Sequence, residues 1–202
     1  MAKTKVISLD NLSFQDLKDE ADLIPLMTTE DEDAMNREEL PTTLPILPLR
    51  NTVLFPGVVI PITAGRDKSI KLINETNKNG KVIGVVSQKD EGKENPSLAD
   101  INTIGTVAQI LRVLKMPDGN TTVIIQGKKR FEVSEVMTTE PYMTATIREV
   151  DEARPAKENA EFKEIISSIK ELALTIIKDS PNIPSEAAFA IKNIESSSFL
   201  IN

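Results

Sequence analysis

The sequence predicts an α+β chain: an antiparallel sheet or small barrel, followed by an α-helical arm. Three observations carry that expectation. Between residues 105 and 150, apolar and polar residues alternate with period two, and turn signals recur at short spacing. After Pro155 the period switches to 3.6. Ahead of both, residues 1–43 hold eleven acidic residues against four basic, so the leader carries the whole net charge of −7 and the body is neutral.

The leader, 1–43, is expected to be partly disordered. Its stretch 28–43, TTEDEDAMNREELPTT, reads as a solvated acidic linker, too charged and too poor in apolar residues to fold alone. Upstream, Phe14, Leu17 and Ala21 fall at i, i+3 and i+7. That spacing fits a short amphipathic helix formed on binding, and equally a floppy leader with incidental apolar residues.

The β domain is expected over 44–152. It opens with LPILPLR at 44–50, where Pro45 and Pro48 cannot donate to a ladder, so the segment reads as an edge strand or extended segment. After the Pro56-Gly57 turn comes VVIPIT, 58–63, with a proline of its own at Pro61. Asp67 reads as the N-cap of a helix from about Lys68, with Ile70, Leu72 and Ile73 apolar and Asn79-Gly80 as its stop. KVIGVVSQ (81–88) reads as a buried strand, and KDEGKENPSLAD (89–100) as a polar loop. GTVAQILRVLKM (105–116), PDGN (117–120) and TTVIIQG (121–127) make a hairpin whose turn supplies a positive-φ residue. Lys128-Lys129-Arg130, beside Gly127, reads as a solvated turn. RFEVSEV (130–136) then alternates, with Phe131, Val133 and Glu135 in line. YMTATIREV (142–150) sets Met143, Ala145 and Ile147 against Tyr142, Thr144 and Thr146.

The helical segment is expected over 153–202. Phe162, Ile165, Ile166, Ile169, Leu172, Ala173, Ile176 and Ile177 form one stripe on a helix ending near Asp179-Ser180-Pro181. Pro184-Ser185-Glu186 opens a second helix with Ala188, Ile191 and Ile194 inside, and Ser196 to Ser198 cap a third. The long stripe needs a surface to cover, either the β domain or helices beyond Asn202. A chain that ends inside an apolar segment looks like a fragment.

Composition removes much chemistry. With no Cys and no His there is no disulfide, thiolate nucleophile, imidazole base or HExxH zinc site. The nearest approach to a P-loop, Gly80-Lys81, has Glu75 in place of the first glycine and Val82 in place of the Ser/Thr. Glu30-Asp31-Glu32-Asp33 lacks the glycine turn and distal glutamate of a calcium loop. No serine sits in a recognisable nucleophile turn. The expectation is therefore no catalytic, cofactor-binding or metal-binding residue. A neutral body with one Tyr and no Trp argues against nucleic acid as a partner. No apolar run approaches the ~18–20 residues that cross a bilayer, and no targeting signal is visible, so a cytoplasmic protein without a membrane partner is expected.

LPILPLRNTVLFPGVVIPITAGRDKSIKLI (44–73) resembles the N-terminal domain of the Lon ATP-dependent proteases. The likeness continues through GVVSQKD (84–90), IGTVAQILRVLKMPDG (104–119) and VIIQGKKRF (123–131). Residues 155–202 are similar to the family's next segment, so the acidic leader alone lies outside. The leader's acidity and the Gln88-Lys89-Asp90 context look bacterial rather than mitochondrial. The resemblance implies a PUA-like pseudo-barrel of about six strands with one inserted helix, then a helical arm truncated before the AAA+ module. It also implies the substrate-recognition and assembly region of an ATP-dependent serine protease that degrades misfolded and regulatory proteins. In full-length form such subunits make a homohexamer. ATP and Mg, like the Ser-Lys dyad, belong to the family's later modules, and no such position transfers to this chain.

Unfolded or degron-bearing protein substrates offer apolar segments, so their receptor needs apolar ground on a stable scaffold. Three places are candidates: the turn residues Leu54, Phe55 and Pro56; Met116 and Pro117 at the hairpin tip; and a charged helix face bearing Arg66, Asp67, Lys68 and Lys71. The proline-rich segment 44–49 is a further one. Competing readings stand beside them. Leu54 and Phe55 also read as core, Asp67 and Lys71 as an i, i+4 pair, and Pro45 and Pro48 as guards against edge aggregation. A free-standing adaptor that presents targets without a protease is the alternative function. Alone, the chain is expected to be a monomer or weak dimer.

Overall fold

The computed structural model describes residues 28–117, 119–150, 159–184 and 186–202, and the spacing at Phe14, Leu17 and Ala21 lies outside them. Among the described residues the order is α1 (Thr29–Arg37), β1 (Thr43–Leu49), β2 (Val59–Ala64), α2 (Asp67–Thr76) and β3 (Val82–Ser87), then β4 (Ile104–Lys115), β5 (Thr121–Thr138) and β6 (Thr144–Glu149). The arm follows as α3 (Ala160–Asp179), α4 (Glu186–Asn193) and α5 (Ser197–Ile201).

Strands lie in the order β2-β5-β4-β3-β1-β6, and β6 pairs again with β5. The ladder β5-β4-β3-β1-β6 thus returns to its first strand, with β2 appended to β5. The length of β5, 18 residues, makes this possible. Residues 121–126 face β2, 121–132 face β4 and 131–138 face β6. Register shifts near Val133 and Val136, and two more in β4, bend the long strands. Pairings are antiparallel except β1–β3, which is parallel, as a crossover through β2 and α2 allows. The expected α+β, mostly antiparallel class is what is found.

β1 is not the expected edge strand: it lies between β3 and β6. Its prolines fit because backbone groups alternate sides along a strand. Leu49 O accepts from Gln88 N–H on the β3 side, and Ile46 N–H donates to Met143 O on the β6 side, both at 2.8 Å. Pro48 shares the β6 side with Ile46 but lies past the last β1–β6 pair, so its missing N–H forfeits no ladder bond. Pro61 does sit on a terminal strand. Val58 O accepts from Gly127 N–H at 2.9 Å, so alternation turns Pro61 away from β5.

β1 reads as a nearly continuous apolar run because both its faces are covered. Leu47 and Leu49 join Leu72 and Ile73 of α2, Ile83, Ile110 and Ile125 in one cluster. Leu44 and Ile46 join Phe131, Val86, Ile101 and Ile147 in the other.

Four local expectations are corrected. Lys128-Lys129-Arg130 is no turn, since β5 runs through it. Gly127 is required by close approach instead, because a Cβ there would lie 2.2 Å from the Phe55 carbonyl oxygen. Asp67 begins α2 rather than capping it; Arg66 holds the cap position without a side-chain cap bond. The supposed linker 28–43 contains α1, stabilised by a Thr28/Asp31 capping box and by burial of Met35, while Glu32 is buried with a hydrogen bond from Ser196 Oγ. Tertiary contact outweighs its charge. Glu135, past the register shift, is exposed while Phe131 and Val133 are buried.

In the arm, α3 has no buried residue. It packs on α4, and Lys170 Nζ donates to Ile194 O at 2.7 Å. Ile165, Leu172 and Ile176 remain 50%, 65% and 59% exposed, so the ladder is not the surface that covers the stripe. Among the described residues no helix is long and apolar enough to cross a membrane.

Candidate functional site

Where β1 runs past the end of β6, a groove of about 960 Å³ opens, walled by β1, β2, the start of α2, residues 94–97 and the turn before β6. Its floor is apolar (Leu47, Leu49, Ile62, Leu72) and its rim charged (Arg50, Arg66, Lys68, Glu94). Arg66 organises one wall. Its Nη2 donates to Pro48 O at 2.7 Å, and its Nη1 donates to Gln88 Oε1 and Glu94 O, each at 3.2 Å. The guanidinium thus takes the carbonyl that no strand reaches. Burial lowers its pKa, Arg50 adds to that and Glu94 opposes it. Even so, an arginine stays protonated.

The 89–100 loop is fixed from below. Gln88, 8% exposed, donates from Nε2 to Asp90 O and Lys93 O, both at 2.6 Å. Asp100 accepts from Lys93 Nζ at 2.6 Å and from Ser97 Oγ and N–H at 2.6 and 2.7 Å. Those bonds, that of Lys93 first, hold its carboxyl well below the usual carboxylate range. Arg50 pairs with Glu94 at 2.9 Å and holds that carboxylate below its ordinary value too. Opposite, Lys68 pairs with Glu140 at 2.5 Å, and Tyr142 Oη donates to Glu75 at 2.9 Å. Burial, then Glu75, raises the tyrosine pKa.

The candidate residues do not gather at one place. Arg66, Asp67 and Lys68 line the groove, while Lys71 is exposed and is not among its lining residues. The ion pair at this face is Lys68–Glu140 rather than Asp67–Lys71. Leu54 is core, 4% exposed, and Phe55 is 37% exposed beside it. Pro56 is buried and lines a second cleft, of about 430 Å³, between α1, β5 and α5. Met116 and Pro117 stand at the β4–β5 hairpin, where Gly119 N–H donates to Met116 O. Sequence reasoning missed Arg50, Gln88, Glu94 and Tyr142. They come from separate loops and strand ends, and no spacing rule joins them.

The P-loop candidate of the sequence, Gly80-Lys81, is not placed to hold a nucleotide. A P-loop runs strand, loop, helix, whereas Gly80-Lys81 lies between a helix and a strand, both residues at positive φ. Among the described residues no cluster of three Asp or Glu side chains is placed to hold a metal ion. The groove's charged rim stands over side chains that belong to the core, Leu47, Leu49 and Leu72 being 2%, 3% and 1% exposed.

The profile of the family "ATP-dependent protease La (LON) substrate-binding domain" matches residues 43–202. The chain belongs to that family. It is 69% identical over its whole length to the Lon protease of Flavobacterium johnsoniae, of which it covers 25%. It is 51% identical to that of Cytophaga hutchinsonii over 89% of this chain and 22% of that one. The chain spans about a quarter of the length of the curated relatives it matches. Two solved structures share the fold. The N-terminal domain of Mycobacterium avium complex Lon protease aligns over 78% of each chain, with TM-score 0.63 and 20% identity. The Lon N-terminal domain protein from Xanthomonas campestris covers 77% of this chain and 92% of its own, with TM-score 0.52 and 16% identity.

Proposed function

We propose that this chain is the non-catalytic client-recognition and assembly region of a Lon-type ATP-dependent serine protease, acting in the cytoplasm on misfolded and regulatory proteins. The family match over residues 43–202 carries the reading, because that family is described by substrate binding. ATP, Mg, the peptidase dyad and a homohexameric assembly belong in this reading to the remainder of the protein. The names and fourfold length of the relatives favour it over a free-standing adaptor.

Client contact is assigned to the groove rim, Arg66, Asp67 and Lys68, with the exposed Phe55 and the Met116-Pro117 tip as outlying apolar contacts. Leu54 and Pro56 hold that turn in place from within, and Lys71 adds charge on the outer face of α2. The test is binding of a chemically unfolded, fluorescently labelled client, followed by anisotropy. The chain should bind in the tens-of-micromolar range, and Lys68→Glu and Phe55→Ser should each weaken binding several-fold at unchanged fold. No binding by this chain, while the longer protein binds, would refute autonomous recognition. Binding indifferent to both substitutions would refute the assigned surface.

A further inference from the structure

The acidic leader and the last helix meet on β5, although 164 positions separate the residues that touch. In α1, Glu32 and Met35 are three residues apart and share the inward face, at 8% and 6% exposure. Glu32 Oε2 accepts a hydrogen bond from Ser196 Oγ, and Ser196 is fully buried. The same Ser196 Oγ accepts from Phe199 N–H at 3.0 Å and so caps α5. A hydroxyl has one proton to give and lone pairs to receive with, and both uses are filled here. The other end of α5 is tied down as well, since Arg130 Nη2 of β5 donates to Asn202 Oδ1 at 2.6 Å. Where the chain leaves α1, Glu38 pairs with Lys128 of β5 at 3.2 Å. Glu32, Met35, Lys128, Arg130 and Phe199 line one cleft.

No residue of α5 is buried, so its place against β5 depends on the contacts that hold it there. Helix α1, nine residues long and acid-rich, depends on neighbours too. The two elements share a buried hydrogen bond.

The geometry points to α1 as a strap: its docking fixes α5 against β5, and its release frees the C-terminal helices while the strand ladder stays folded. The linkage extends to α3, because Lys170 Nζ holds Ile194 O, two residues before Ser196. Coupling of this kind is reciprocal, so loosening either helix must loosen the other by the same factor.

Amide hydrogen exchange on the whole chain tests this, with Glu32→Ala, Ser196→Ala, Glu32→Gln and a truncation lacking residues 1–41. Glu32→Ala should speed exchange over 197–201 by about tenfold, the loss of one buried charge-assisted bond. Ser196→Ala should speed exchange over 29–37 by a similar factor. Glu32→Gln, which keeps an acceptor, should fall between it and the parent. Amides of β3 and β4 should be unchanged throughout. Unchanged exchange over 197–201 in both Glu32→Ala and the truncation would overturn the strap. So would a uniform rise that includes β3 and β4, since α1 would then be an inseparable part of the β domain.

Discussion

Phe131 and Leu172 are both large apolar side chains in long regular elements, one fully buried in β5 and the other 65% exposed on α3. The neighbours differ. Phe131 fills space that two glycines vacate: a Cβ on Gly84 or Gly105 would come within 2.9 and 2.8 Å of its ring. Leu172 belongs to a stripe just as regular in sequence, yet α4 covers only part of it. Periodicity marks the apolar face of an element. What lies against that face depends on connections that periodicity does not contain.

The largest effect should come from the ring itself. Phe131→Ala opens a cavity lined by backbone at Gly84 and Gly105, which has little freedom to collapse. The expected loss is about 3–5 kcal/mol, read as a lower urea midpoint at unchanged slope. Gly127→Ala should follow, at about 1–3 kcal/mol. Its added methyl meets the Phe55 carbonyl, which is backbone and bonded to Val58 N–H, so relief requires moving the 55–58 turn. A neutral outcome there would mean that turn and strand approach less closely than 2.2 Å implies.

These two sites show where the sequence was legible. Alternation along 142–150 placed Met143, Ala145 and Ile147 inside correctly, since a strand with one wet face records its orientation residue by residue. The helix at 160–179 and the Ser196 cap were equally readable, being local. Gly127 misled because a glycine beside a basic triplet has the composition of a turn, and the carbonyl that demands it lies 72 residues away at Phe55. Pro45 and Pro48 misled likewise: their tolerance depends on which side of β1 each nitrogen faces. Of the groove, Arg66, Asp67 and Lys68 could be named from a helix start. Gln88 and Glu94 could not, because what unites them is a guanidinium reaching three chain segments.

A smaller effect should separate the groove's loop from the ladder beneath it. Asp100 has its folded pKa lowered by Lys93 and Ser97, so its contribution to stability is present above the unfolded aspartate value of ~3.9 and is lost as pH falls below it. On acidification, exchange at the Ser97 amide should rise before that of β3 and β4, and Asp100→Asn should remove this dependence. Simultaneous opening of loop and ladder would show that the loop has no separate stability.

The smallest effect should belong to Leu172→Ser. With the side chain 65% exposed, little apolar surface returns to water on unfolding, and the change should stay within about 0.5 kcal/mol of the parent. The contrast with Phe131→Ala is then roughly tenfold in free energy for two residues of comparable hydrophobicity. If Leu172→Ser costs several kcal/mol instead, and does so more at high protein concentration than at low, a second copy of the chain covers the stripe in solution. The difference between the two regions would then be one of partner rather than of packing, since burial across an interface destabilises on truncation as burial within a chain does.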